Sequence, residues 1–428
     1  MTAAATMTGK IRSGEYDGAF ARLYGADQVA AQRERYVQAV AGFAATFGED
    51  GAPLLLFSAP GRTEIGGNHT DHNHGRVLAG SVDLDVIAVV RPAAGTVRVQ
   101  SEGFPMDTVA LDRLEPVEEE KNRSSSLIRG TAARFAQLGY TIGGFDAYTT
   151  SNVLKGSGLS SSAAFEVLIG VILNHLYNDG RVNPVEIAQI AQYAENAFFG
   201  KPCGLMDQMA SSVGNIITID FADTDHPVIE QVDFDFSATG HALCIVDVGG
   251  NHADLTHEYA AVPAEMKAVA KSLGVEYLRQ TDMATLLKNI PALRQQHGDR
   301  AVLRAIHFLR DNERVPQQVA ALRAGDFERF KQLVIASGHS SFEYLQNVYA
   351  SCAVEEQGMS LALALAQGVL DGCGAWRVHG GGFGGTTQNF VPLDKLEEFR
   401  TVLESVFGAG SCHVLSIRPC GGVCVDRL

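Results

Sequence analysis

Lys155-Gly156-Ser157-Gly158-Leu159-Ser160-Ser161-Ser162-Ala163-Ala164 lies between a strand-like run at 145–152 and an apolar run that continues to Leu176. Glycines let a backbone approach a phosphate closely. The first turn of the following helix offers unpaired amides, and serine hydroxyls add donors or a ligand for a divalent cation. The stretch is neither a GxxxxGK[ST] loop nor a dinucleotide fingerprint, because its glycine spacing fits neither. A serine-capped helix after a plain turn would explain one or two of the serines but hardly three in a row. Gly156, Ser157, Gly158, Leu159, Ser160, Ser161 and Ser162 are therefore expected to cradle a phosphate. The segment after them is apolar nearly all round, which predicts a buried helix.

Upstream of this loop, residues 13–48 carry apolar positions at helical spacing. A short strand from Leu54 to Ser58 is expected to end in a turn at Pro60-Gly61-Arg62. Segments 84–91, 95–100 and 107–112 read as strands and 125–138 as a helix. Downstream, a helix at 184–199 begins on a proline, and strands follow near 215–220, 228–235 and 242–248. The pattern from 258 to 370 is almost entirely helical. Strands return at 374–379, 387–392 and 412–426, around a helix at 394–407. Strands and helices are partly segregated, so the fold class is α+β, and 428 residues suffice for two domains. The boundary is expected near 235–240, giving domains 1–237 and 238–428. No repeat or low-complexity linker interrupts them.

Three further segments carry chemistry. Residues 61–75, Gly-Arg-Thr-Glu-Ile-Gly-Gly-Asn-His-Thr-Asp-His-Asn-His-Gly, concentrate hydrogen-bonding groups suited to a polyhydroxylated ligand. Carboxylates accept from vicinal hydroxyls, and Arg62 supplies fixed positive charge. A metal reading of His69, Asp71, His72 and His74 competes, although nothing in their spacing brings three onto one ion. In residues 195–209, Glu195 and Asp207 are separated by a Gly/Pro turn that lets both acids face one cleft. Residues 379–385, His-Gly-Gly-Gly-Phe-Gly-Gly, link two strands and taken alone would fit a tight hairpin.

Composition narrows the partners. With 49 acidic against 34 basic residues the formal charge is −15, which gives no attraction to nucleic acid or anionic lipid. No apolar run reaches the roughly 20 residues needed to cross a bilayer. The N-terminal MTAAATMTGK has neither the apolar core nor the cleavage site of a signal peptide. Seven scattered cysteines fit reduced thiols in the cytoplasm, with Cys420 and Cys424 read as strand thiols. A monomer is the default expectation.

Taken in order, the four segments resemble the GHMP kinases and, within them, the galactokinases. The GlyArg and HisThrAsp at 61–71 are similar to the galactokinase signature. Gly158–Ala163 looks like the family's GLSSSA phosphate loop, Pro202–Gln208 like its catalytic stretch, and Gly380–Gly385 like its C-terminal glycine motif. The resemblance implies a two-domain fold, with a left-handed βαβ unit in the N-terminal half, an exception to the usual crossover rule, and a ferredoxin-like C-terminal half. A small-molecule sugar and ATP would meet in the cleft between them, with Mg²⁺ held by Ser162 and Glu195. Asp207 falls on the proposed general base and Arg62 on the arginine beside it. Asn68, His69, Asp71, Gly204 and Tyr259 fall on sugar-contacting positions. An aspartate beside an arginine has a lowered pKa and is a weak base, so Asp207 is expected to orient the hydroxyl as much as deprotonate it.

The chain departs from the family pattern in three places. Asn68 stands where the family has a Glu that contacts the sugar's C6 hydroxyl, which opens a uronic acid as an alternative substrate. AlaAlaValProAlaGluMet follows Tyr259 in place of the family's ArgArg. Ser124-Ser125-Ser126-Leu127 stands where a Trp precedes the first long helix, so adenine contacts must differ. Galactokinase activity is the leading expectation. A kinase of another monosaccharide, such as galacturonate or arabinose, and a catalytically silent sugar sensor are the alternatives.

Overall fold

The computed structural model describes residues 2–428 apart from 50, 154–157, 202 and 250–254, and the backbone alone of Thr256. Gly156 and Ser157 of the phosphate loop lie outside the described residues. Three helices open the chain: α1 (Ala3–Ser13), α2 (Asp17–Tyr24) and α3 (Val29–Phe47). The helical spacing at 13–48 is thus divided, because Gly14 and Gly25 adopt φ of +87° and +93°, outside the α-helical range.

The strands are β1 (Leu55–Gly66), β2 (Arg76–Ala93), β3 (Thr96–Ser101), β4 (Asp107–Ala110), β5 (Gly144–Ser151), β6 (Ile216–Asp220), β7 (Val228–Val232), β8 (His241–Asp247), β9 (Ala375–His379), β10 (Thr386–Pro392), β11 (Cys412–Leu415) and β12 (Val423–Cys424). The remaining helices are α4 (Ser124–Gln137), α5 (Ser161–Tyr177), α6 (Pro184–Ala194), α7 (Met206–Val213), α8 (Thr256–Ser272), α9 (Met283–Arg323), α10 (Phe327–Ser340), α11 (Gly358–Leu370) and α12 (Leu396–Phe407).

The first sheet has eight strands, in the order β12-β1-β2-β5-β3-β4, with β6 on the other half of β2 and β7 beyond it. Its one parallel pair among the described residues is β3–β5, joined through β4 and α4. The second sheet is antiparallel, in the order β11-β8-β10-β9. Strand, helices, two strands, helix, strand in spatial order 4-1-3-2 is the ferredoxin-like arrangement.

Alternation along β1 and β2 sends side chains into two cores. Phe57, Ala59, Val86 and Ala88 meet Val167, Leu168, Val171 and Ile172 of α5 on one face. On the other, Leu56, Ile87 and Val89 meet Phe20, Tyr36 and Phe43 of α2 and α3. Each large side chain buried in this way contributes about 1.5–3 kcal/mol. Because both faces are covered, these strands lack the polar alternation of a half-exposed sheet.

Two expectations are corrected. Pro60-Gly61-Arg62 does not end β1. The pairing shifts from Pro60↔Asp85 to Arg62↔Ser81, an irregularity in which residues 82–84 of β2 stand opposite Gly61, and the strand continues to Gly66. Residues 412–426 are not one strand either. β11 joins the second sheet and β12 the first, and between them the fully buried Arg418 donates to Ser58 Oγ at 2.7 Å and pairs with Asp85 at 3.1 Å. Asp85 also pairs with Arg35 at 2.6 Å and accepts from Tyr24 at 2.6 Å, so one carboxylate ties the N-terminal helices to the chain's end. No helix among the described residues is long and apolar enough to cross a membrane.

Candidate active site

The site is built on β1. Register is regular from Arg62↔Ser81 to Glu64↔Ala79, so Arg62 and Glu64 point to the same side of the strand, about 7 Å apart. The Arg62 backbone N–H donates to Leu159 O at 3.0 Å and its Nη1 donates to Gly158 O, which fastens the phosphate loop to β1. Closeness here requires a glycine, because a Cβ on Gly61 would lie 2.8 Å from Leu159 O. Arg62 Nε donates to Asp207 Oδ1 at 2.7 Å, and Ser160 donates its hydroxyl to Asp207 Oδ2. Asp207 sits in the first turn of α7. Burial alone would push its pKa up, but the charge and hydrogen bond of Arg62, with Ser160 and Lys201, hold it below the ordinary carboxylate value.

Ser160 occupies the N-cap position of α5 with φ +56°, and its hydroxyl makes no cap to the helix. The amides of the α5 first turn therefore keep their capacity for a ligand's oxygens. Leu159 is buried, whereas Gly158 and Ser162 are exposed and Ser161 is half-buried.

Beside Asp207 opens a cavity of about 230 Å³, lined by Arg62, Glu64, His69, Asp71, His72, Gly204 and Asp207, with Gly380 and Gly381. That is at the small end for a ligand pocket. His69 Nε2 donates to Gly381 O at 2.8 Å, so its Nδ1 accepts from His72 Nε2 at 3.2 Å, and His72 Nδ1 accepts from Asn73 at 3.0 Å. Both rings are neutral in this chain of donors. Burial lowers the His69 pKa and pushes that of His72 down to about 4. Asp71 reaches the cavity past Gly204, where a Cβ would stand 2.6 Å from Asp71 Oδ2.

Asn68 is placed differently from the expectation. It is fully buried behind the wall, and both amide atoms are saturated by the protein. Its Nδ2 donates to Glu64 Oε1 at 2.9 Å and Gly380 O at 2.7 Å. Its Oδ1 accepts from Ser341 at 3.1 Å and Asn347 at 2.8 Å. The side chain that faces the cavity is Glu64, whose Oε1 also accepts from the fully buried Arg377 at 2.7 Å. Tyr259 stands next to the cavity, not in its wall. Its hydroxyl donates to Gly382 O at 2.8 Å and its ring packs edge-on against Phe383.

Glu195 opens a π-helical turn, Glu195–Phe199, and is buried against Lys201 at 3.3 Å and Gln208 at 2.8 Å. The same Gln208 nitrogen donates to Glu166 Oε2 at 3.1 Å, and Glu166 Oε1 is buried with no partner. Glu166 lies one helical turn after Ser162, on the same face of α5. Burial, and then the neighbouring Glu195, push the Glu166 pKa well up. The rival metal cluster does not form. His74 stacks on Tyr277 at 3.7 Å, away from the His69–His72 pair, and the only close ligand triad among the described residues is His257, Glu258 and Cys352.

Sequence reading passed over Glu64 as a wall residue, Ser160 as a partner of Asp207, Glu166 and Arg377, and it weighed His72 only as a metal ligand. The two-residue spacing of Arg62 and Glu64 was the available signal for the first. Arg377 joins only through the tertiary fold.

A nucleotide-type loop fastened to an aspartate at a small polar cavity, in this fold, defines a GHMP-type kinase. Residues 126–215 match the GHMP kinases N terminal domain and residues 41–92 the galactokinase galactose-binding signature. The galactokinase of Streptomyces coelicolor is 32% identical over 358 residues, covering 83% of this chain and 89% of that protein. Human galactokinase is 30% identical over 398 residues, covering 90% and 95%. The crystal structure of Lactococcus lactis galactokinase complexed with galactose superposes with a TM-score of 0.75 at 26% identity, covering 90% of this chain and 98% of that one. The chain belongs to the galactokinase family.

Proposed function

We propose that this protein transfers the γ-phosphoryl group of ATP to the anomeric hydroxyl of galactose. The observation that carries the reading is Arg62, which bonds the phosphate loop through Gly158 and Leu159 and the acceptor end of the cavity through Asp207. Phosphoryl transfer needs in-line placement and charge neutralisation more than covalent chemistry, and one rigid side chain sets both ends in register.

In this mechanism the loop at 156–162 holds the phosphates, and Asp207 accepts a hydrogen bond from the attacking hydroxyl. Its lowered pKa keeps it ionised, so it orients the oxygen first and takes the proton as the bond to phosphorus forms. Arg62 keeps that charge in place and offsets charge building on the transferred group. Ser162, Glu195 and the unpartnered oxygen of Glu166 are hard oxygen donors of the kind Mg²⁺ takes. The bound ion would neutralise phosphate charge. Asp71 and Gly204 would contact the sugar directly, His69, whose two ring nitrogens bond Gly381 and His72, would offer its ring to it, and Tyr259 stands beside the cavity. The working division is 1–237 and 238–428, with β12 returned to the first sheet.

The charge inventory favours a neutral sugar over galacturonate. Glu64, Asp71 and Asp207 face the cavity, Arg62 is already paired, and both histidines are neutral. Such a wall accepts hydroxyl protons and repels a carboxylate. The silent-sensor reading has less support, because Asp207, Arg62 and the loop at 158–162 are all in place. Coupled ADP release with ATP and Mg²⁺ across galactose, glucose, arabinose, N-acetylgalactosamine and galacturonate tests the proposal. Galactose-dependent turnover is expected; turnover with galacturonate alone, or with no sugar, would sink it.

A further inference from the structure

Glu64 is a buried carboxylate that the phosphoryl-transfer steps do not use. Its two oxygens are unlike. Oε1 takes both protein hydrogen bonds, from Arg377 at 2.7 Å and Asn68 at 2.9 Å, whereas Oε2 takes none among the described residues. The residue is only 4% exposed, yet it lines the cavity, so its remaining acceptor points at whatever occupies that space. An acceptor that opens onto a cavity bonds water there, and a ligand hydroxyl takes that water's place.

The wall around Glu64 fixes that orientation. Arg377 Nη1 donates to Ile65 O at 2.7 Å and its Nε to Val378 O at 2.9 Å, so the guanidinium is locked from three sides. Asn68 is locked by Gly380, Ser341 and Asn347. Neither partner can turn into the cavity, and together they hold Oε1 and aim Oε2. Glu64 lies along β1 from Arg62, hence away from the Asp207 end where the reacting hydroxyl sits.

We propose that Glu64 is a specificity-determining residue: Oε2 accepts the proton of a sugar hydroxyl other than the one phosphorylated, and its charge excludes sugars that carry a carboxylate there. This rests on the reading of the cavity as the sugar site. In this assignment Asn68 is a positioning residue, which acts by orienting Glu64 and not by touching the sugar. The carboxylate missing from position 68 is supplied four residues earlier on the same strand and loop.

Calorimetric binding of galactose and its 2-, 3-, 4- and 6-deoxy analogues to the wild type and to Glu64→Gln tests the assignment, with an ATP analogue as a fold control. One analogue is expected to bind the wild type roughly ten- to a hundredfold more weakly than galactose, the worth of a hydrogen bond to a charged group. That same penalty should shrink to about twofold in Glu64→Gln, with ATP-analogue affinity unchanged. Equal penalties for every analogue in both proteins would overturn the assignment while leaving the kinase reading intact. A wild type that neither binds nor phosphorylates galactose would overturn both. If Glu64→Gln does not fold, Glu64→Asp gives the same comparison, because it keeps the charge for Arg377 and withdraws the acceptor by one methylene.

Discussion

Two arginine–carboxylate pairs serve one cavity, and they behave in opposite ways. At one end Arg62 and Asp207 meet at 2.7 Å, and the net effect of charge and hydrogen bonding is an aspartate pKa below its ordinary value. At the other, Arg377 and Glu64 also meet at 2.7 Å, yet burial outweighs the nearby charges and the Glu64 pKa is raised. The difference lies in how each arginine is spent. Arg62 serves the phosphate loop and Asp207, and Ser160 donates to the aspartate's second oxygen. Arg377 divides its donors between two backbone carbonyls and one oxygen of Glu64. In the proposed division, the first pair keeps a charge ready for chemistry and the second holds a carboxylate rigid for recognition. A contact distance alone would not have told them apart.

The largest effect expected at the reaction end is from Asp207→Asn, which should lower kcat on the order of 10²–10⁴-fold, read under conditions where the variant remains folded. Arg377→Met attacks the other pair through stability. It leaves Glu64 as an uncompensated buried charge and should cost about 3–5 kcal/mol, read as a drop in the denaturation midpoint. Arg62→Lys keeps the charge but loses the fork that spans Gly158 and Asp207, and kcat/KM should fall roughly a hundredfold. Gly204→Ala places a Cβ 2.6 Å from Asp71 Oδ2. It should raise the galactose KM about tenfold and spare kcat, since it displaces a recognition group by a small distance.

The smallest effect is one of pH. Because Oε1 of Glu64 is occupied by Arg377 and Asn68, a proton added to the carboxylate goes to Oε2, the oxygen left for the cavity. The ionised form is the one that accepts from the sugar, so affinity is full above the raised Glu64 pKa and falls as pH drops through it. Arg377, Arg62 and Asp71 are the charged groups that set that value. Asp207, with its lowered pKa, stays ionised across the same window. The galactose KM should therefore rise a few-fold on mild acidification before kcat declines. Glu64→Gln should remove that limb; a limb that persists in it would assign the titration to another group.

The contrast between the two ends also marks what was legible in the chain. The phosphate loop was legible because glycines beside serines are a local signal, whereas the pairing of Arg62 with Asp207 came only from the resemblance. The second sheet's 4-1-3-2 order followed from the resemblance, and the buried α5 from its all-round apolar character. Asn68 read as a sugar ligand because its four saturating partners come from residues 64, 380, 341 and 347, which only the folded chain assembles. Glu64 was hidden for the same reason, since its partner Arg377 lies on β9, 313 positions away. Pro60-Gly61 read as a turn because those residues punctuate most chains. Here two covered faces and an irregularity in the pairing carry β1 through them.

Kinetics and galactose calorimetry on Asp207→Asn and Glu64→Gln, made side by side, test the division of labour most directly. The structure predicts that Asp207→Asn loses turnover by at least about a hundredfold, well beyond any loss of galactose affinity from the hydrogen bond it weakens. Glu64→Gln should bind it roughly tenfold or more weakly and keep kcat within a few-fold. Equal losses of kcat in both variants, or weakened binding in Asp207→Asn with none in Glu64→Gln, would contradict the assignment of chemistry to one pair and recognition to the other.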